Sequence, residues 1–265
     1  MIEPNWLALL TNNARLITQI AEPTEEMMLL AVRQDGLLIQ YIKKPTAAVC
    51  EAAFEQNPKA IRFIAEPTEE MMLTAVKQSW LQLEFIKQPS AAVRLAALEQ
   101  AGWAIRLIPD ATEEEKRLAV RRHPDAIKYI ERPSVEVQLE AVKGNYVALR
   151  DIAEADRRVE LLAVARDAAA FLFIKQKSKE KLLDLMRVNV RVYQYMPQAL
   201  TKEELERLLI EMVALEAVPE GFIRDLLSAP MPGGSAWYEI DRLLLIRRYG
   251  SRKAQTVAVD EKLKM

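Results

Sequence analysis

The chain has 265 residues, half of them apolar, with seven glycines and one cysteine. Its formal net charge of −1 supplies no global field to recruit nucleic acid or an anionic membrane surface. The lone Cys50 excludes an internal disulfide and fits a reducing compartment. The opening MIEPNWLALLTNN has an acid where a secretory leader needs basic residues. No run approaches the roughly 20 apolar residues of a membrane span. A soluble, cytoplasmic protein with no membrane partner is expected.

Along the chain, Pro23, Pro45, Pro67 and Pro89 stand 22 residues apart, and the same register continues through Ala111, Pro133, Ala155, Lys177 and Ala199. One residue later comes a side chain that can cap a helix: Thr24, Thr46, Thr68, Ser90, Thr112, Ser134, Asp156, Ser178. Acids often follow, as in Glu25-Glu26, Glu69-Glu70 and Glu113-Glu114, where the helix dipole favours them. Eight residues past the proline stands alanine (Ala31, Ala53, Ala75, Ala97, Ala119, Ala141, Ala163), then a larger apolar residue. That pairing predicts close helix packing. A polar column (Asn13, Asp35, Asn57, Ser79, Ala101, His123, Asn145, Asp167, Asn189) predicts helix ends in the left-handed conformation. The columns Ile39, Ile61, Leu83, Ile105, Ile127 and Ile42, Ile64, Ile86, Ile108, Ile130 lie three residues apart and predict a second, shorter helix.

The register runs without insertion from about residue 1 to about 198. It predicts an all-α fold: a right-handed α-solenoid of about nine 22-residue helix-turn-helix repeats with a C-terminal helical cap. Residues 199–250 read as that cap or as an interaction module, and 251–265 as a polar tail. IAEPTEEMMLLAVRQ from Ile20 and IAEPTEEMMLTAVKQ from Ile64 indicate a duplicated pair of units.

QPSAAVRLAAL, RPSVEVQLEAVKGNYVALRDI and KAIRFIAEPTEEMM resemble the short tandem helical repeats of unknown function found in bacteria and phages. They are more loosely similar to the leucine-rich-variant repeat, which pairs an α-helix with a 3₁₀ helix. The resemblance covers residues 1–198. It implies a right-handed superhelix and an interaction role, such as engaging or inhibiting a host factor, and it carries no catalytic residues.

No GxGxxG, P-loop, GxSxG or metal-ligand spacing occurs, so no cofactor is expected. His123 reads as a helix end rather than a general base, and Cys50 as packing rather than a nucleophile. Gln34, Gln56, Gln78 and Gln100 form a column that reads as a solvated edge or as a row of partner contacts. Tyr41, Phe63, Phe85, Leu107, Tyr129, Phe173 and Tyr195 form an aromatic column that reads as core. Asp151 breaks it beside Arg150 and reads as an ion pair. Position five after the proline (Met28, Cys50, Met72, Arg94, Lys116, Gln138, Glu160, Leu182) should be buried, yet turns polar in the middle units.

The leading expectation is a non-enzymatic scaffold for another protein. Residues 111–200 hold 17 basic against 14 acidic side chains. Arg121, Arg122, Lys128, Arg132, Lys143, Arg150, Arg157 and Arg158 therefore offer a nucleic-acid reading as the alternative. A base-modifying enzyme built around Asp151 is a third reading, and homodimerisation through the C-terminal segment a further possibility for partners.

Overall fold

The computed structural model describes residues 5–263, so the start of the first expected unit and the last two residues of the expected tail lie outside the described residues. The described residues are helical, with no strand among them. Two compact units divide the chain at Met1–Ile130 and Glu131–Met265.

In the first unit, α-helices alternate with 3₁₀ helices (η). The order is α1 Trp6–Asn12, η1 Ala14–Gln19, α2 Glu25–Gln34, η2 Gly36–Tyr41, α3 Ala47–Gln56 and η3 Pro58–Phe63. It continues with α4 Glu69–Gln78, η4 Trp80–Phe85, α5 Ala91–Gln100, η5 Gly102–Leu107, α6 Glu113–Arg122 and η6 Pro124–Tyr129. The 3₁₀ elements η1 to η6 pack each against the next, and α3 and α6 rest on the preceding η2 and η5. The second unit continues the alternation with α7 Val135–Gly144, η7 Tyr146–Asp151, α8 Arg157–Arg166, η8 Ala168–Phe173, α9 Lys179–Val188 and η9 Val190–Tyr195. It then changes to α10 Lys202–Ala214, α11 Glu220–Ser228, η10 Ala236–Glu239, α12 Arg242–Tyr249 and α13 Arg252–Leu263.

The α-helices start where a side chain can satisfy their orphan amides, except α11, which Pro219 precedes. Thr24 Oγ1 accepts from Met27 N, Thr68 from Met71 N and Ser134 Oγ from Val137 N. Thr112 and Thr201 complete reciprocal capping boxes with Glu115 and Glu204. The alanine column from Ala31 to Ala163 is fully buried, as are Val32, Val76, Leu98, Val120, Val142 and Val164 beside it. The close approach this allows is visible at Gly102, where a Cβ would stand 2.1 Å from the Ala119 carbonyl oxygen of the next α-helix.

The second, shorter helix of each pair takes the 3₁₀ form, which i, i+3 spacing of apolar residues serves as well as it serves an α-helix. Two expectations are corrected. The polar column is not left-handed: Asp35 and Asn57 are extended, with φ of −147° and −149°. Their residue types suit a different task, since Asp35 Oδ1 accepts from Leu37 N and Asn57 Oδ1 from Lys59 N, capping the 3₁₀ helix that follows. Finally, Arg252–Leu263 is not a tail but helix α13, packed on α11 and α12 with Ala254, Val257 and Ala258 inside.

Overpacking the alanine column should destabilise the fold. Ala97→Leu is expected to reduce unfolding stability by about 1–3 kcal/mol, measured by denaturant titration followed by far-UV circular dichroism; an unchanged midpoint would refute the close-contact role.

Candidate binding surface

The glutamine column is occupied by the fold itself. Gln56 Oε1 accepts from Gly36 N at 2.6 Å, and Gln100 Oε1 from Trp80 N at 2.5 Å while its Nε2 donates to Lys77 O at 2.8 Å. Gln34 Nε2 donates to Leu10 O at 3.0 Å. Each amide thus reaches back one repeat to the α-to-3₁₀ junction, where backbone groups lack intrahelical partners. Gln78 stays exposed. The register explains it: the residue it would serve is Pro58, which has no N–H. In the next pair His123 takes over, with Nδ1 accepting from Gly102 N at 3.0 Å and its ring 4.1 Å from that of Trp103.

The basic candidates are mostly partnered. Lys128 meets Asp125 at 3.5 Å, and Arg158 meets Asp156 at 3.1 Å. Arg150 pairs with Asp151 at 3.2 Å, the ion pair expected for that break in the aromatic column. Arg121 and Arg122 are exposed at the end of α6. Arg121, Arg122 and Lys128 belong to the first unit and Arg150 and Arg158 to the second.

Two members of the position-five column line clefts beside a connection from a 3₁₀ helix to the next α-helix. In the first unit the cleft is walled by Ile20, Met28, Tyr41 and Ile42. In the second unit the register equivalents Ile152, Glu160, Phe173 and Ile174 wall a cavity of about 290 Å³. The polar members of the column have partners: Gln138 and Glu160 are buried, and Arg94 and Lys116 are half-buried. Arg94 Nε reaches Glu115 Oε1 at 2.8 Å, and Lys181 Nζ reaches Glu160 Oε1 at 2.9 Å. Both pairs join position five of one repeat to position four of the next, with the signs exchanged. Gln138 bridges repeats through Glu154 O and Asp156 N.

The aromatic column is not core in the first unit. Tyr41 is 56% exposed, and Phe85 and Tyr129 are each 40% exposed. Phe63 and Leu107 occupy the equivalent places on η3 and η5 and are half-buried. Cations cover the rings: the Arg62 guanidinium lies 5.5 Å from the Phe63 ring and 5.4 Å from that of Phe85, bridging η3 and η4. Arg106 of η5 lies 5.1 Å from the Trp80 ring of η4, and Lys128 5.0 Å from that of Tyr129. Arg62 thus links two members of the column on consecutive 3₁₀ helices, and Arg106 links η5 to η4 through Trp80. The signal missed in the sequence was the preceding column, Gln40, Arg62, Glu84, Arg106 and Lys128, whose charged residues mark a surface-facing side.

In the second unit, Leu243, Leu244, Ile246, Ala258 and Val259 line a groove between α12 and α13. Cys50 is half-buried; burial pushes its thiol upward in pKa and neighbouring Glu51 adds to this, the opposite of an activated nucleophile. Among the described residues no group of three His, Cys, Asp or Glu side chains could hold a metal ion, and no helix is long and apolar enough to cross a membrane. Comparison with protein-family models, with curated proteins and with solved structures gives no match.

The clamp reading separates the glutamines. Gln56→Ala and Gln100→Ala should each destabilise by about 1 kcal/mol, the usual worth of such a bond, whereas Gln78→Ala should leave the unfolding midpoint unmoved; equal losses at all three positions would contradict it.

Proposed function

We propose that this chain is a non-enzymatic scaffold, built as a right-handed solenoid by the 22-residue register, that engages another protein along the 3₁₀ face of its first unit. The supporting observation is the set of half-exposed rings of Tyr41, Phe63, Phe85 and Tyr129 on η2, η3, η4 and η6, with the Arg62 guanidinium held against Phe63 and Phe85 and that of Arg106 against the neighbouring Trp80. Aromatic and arginine side chains are the types concentrated at interface hot spots, because they bury large area at low entropic cost and pair polar edges with apolar faces. A backbone already ordered by repeat-to-repeat hydrogen bonds loses little freedom on binding. The glutamine column, by contrast, supplies cohesion between repeats. A reducing, cytoplasmic setting accords with the lone, half-buried thiol.

Affinity capture from nuclease-treated lysate, followed by a measured Kd for the recovered protein, tests this. Tyr41→Ala combined with Phe85→Ala should weaken that Kd by at least about ten-fold while the chain stays folded, as read by an unchanged far-UV circular dichroism spectrum at the assay temperature. If Leu244→Ser in the α12–α13 groove removes binding and the aromatic pair does not, the C-terminal segment is the binding element and the 3₁₀ face is not.

A further inference from the structure

We propose that the 3₁₀ face of the first unit recognises an extended, polyproline II-type segment of a partner protein that carries acidic side chains six residues apart. This rests on the reading of that face as the binding surface and names what it binds.

The charge on this face is placed rather than scattered. Among the described residues Arg62 and Arg106 have no acidic partner, and both guanidinium groups lie against rings. Arg62 Nε donates to Lys59 O at 3.2 Å, which anchors the group and leaves its terminal nitrogens to point elsewhere. A guanidinium with its face covered by a ring is already partly desolvated and fixed in plane, with its N–H fork still presented at the edge. That is the geometry that accepts a carboxylate through two parallel hydrogen bonds. An isolated carboxylate on a partner is the matching group.

Spacing selects the partner's conformation. Arg62, Glu84 and Arg106 occupy the same place on η3, η4 and η5, which pack in succession. Packed helical elements lie roughly 8–10 Å apart. A polyproline II helix has three residues per turn and advances about 9.3 Å per turn, so every third side chain returns to the same side at nearly that spacing. A β-strand alternates sides every residue and would present third neighbours to opposite faces. The commensurate ligand is therefore the polyproline II form, one turn per repeat. Its prolines suit the exposed rings of Tyr41 and Phe85, since aromatic surfaces are the usual receptors for such segments.

Glu84 sets the middle of the pattern. It is exposed on η4 between the two arginines. An acid facing it would be repelled, so a basic or neutral residue is selected there. The recognised pattern is acid, two residues, basic or neutral, two residues, acid.

Synthetic fluorescein-labelled nonapeptides test this against the full chain by fluorescence anisotropy. One carries Glu at its second and eighth positions, Lys at the fifth and Pro elsewhere. A second has the same composition with the acids moved to the second and sixth positions, and a third has Lys in place of both acids. The in-register peptide should bind at least about ten-fold tighter than either control, and Arg106→Gln should erase that preference without moving the unfolding midpoint. Glu84→Lys should raise affinity for a peptide with a third Glu at its fifth position. Equal affinity for all three peptides, no measurable binding, or tighter binding of a thymidine oligonucleotide would each overturn the proposal. If acidic peptides fail while Tyr41→Ala with Phe85→Ala still abolishes capture of a partner protein, the surface stands and its acidic ligand does not; if the aromatic pair is also inert, the surface reading itself falls.

Discussion

The backbones of α3 and α6 approach the first residues of η2 and η5 so closely that only glycine fits at those two contacts. The Ala53 and Ala119 carbonyl oxygens would lie 2.2 Å and 2.1 Å from a Cβ at Gly36 and Gly102. The fully buried alanine column permits this. Close approach then puts the end of the same α-helix within hydrogen-bond reach of the junction it covers, and Gln56, Gln100 and His123 each use that reach. A donor that would otherwise be buried without a partner is satisfied one repeat away.

Charge inside the stack has a different role. Position five and the following repeat's position four hold Met28 with Val49 and Met72 with Val93 in early repeats. Later they hold Arg94 with Glu115 and, with reversed sign, Glu160 with Lys181. Glu115 also accepts from Thr112 N and Oγ1 through Oε2, so both carboxylate oxygens are engaged. A buried ion pair gains little over an apolar pair of the same shape. What it adds is discrimination: a repeat slipped out of register would bury a charge beside a methionine or valine.

Period, caps and the alanine column were legible because each depends on residues close in sequence, such as Thr68 with Met71. The glutamine clamps were not, since their partners lie 20 to 24 residues away in the preceding repeat. Asn57 was assigned to the right place with the wrong geometry, because one residue ends the α-helix and begins the 3₁₀ helix, and the second duty dictates its conformation. Tyr41 and Phe85 are of a residue type that reads as core, and only the charged column beside them marks them as surface-facing. In α13 the apolar residues Ala254, Val257 and Ala258 fall at helical spacing, but they are small and lie among Arg252, Lys253, Asp260 and Glu261, which hid the buried stripe.

If equivalent positions in the register are physically equivalent, the charges at Glu160 and Lys181 can be exchanged to match the order found at Arg94 and Glu115. A double-mutant cycle in denaturant unfolding measures this most directly. Glu160→Arg and Lys181→Glu made singly should each destabilise by about 2 kcal/mol or more, since each leaves like charges together in a buried place. The double variant should return to within about 1 kcal/mol of the parent, aided by a new capping box with Ser178. Losses that simply add in the double variant would contradict the account.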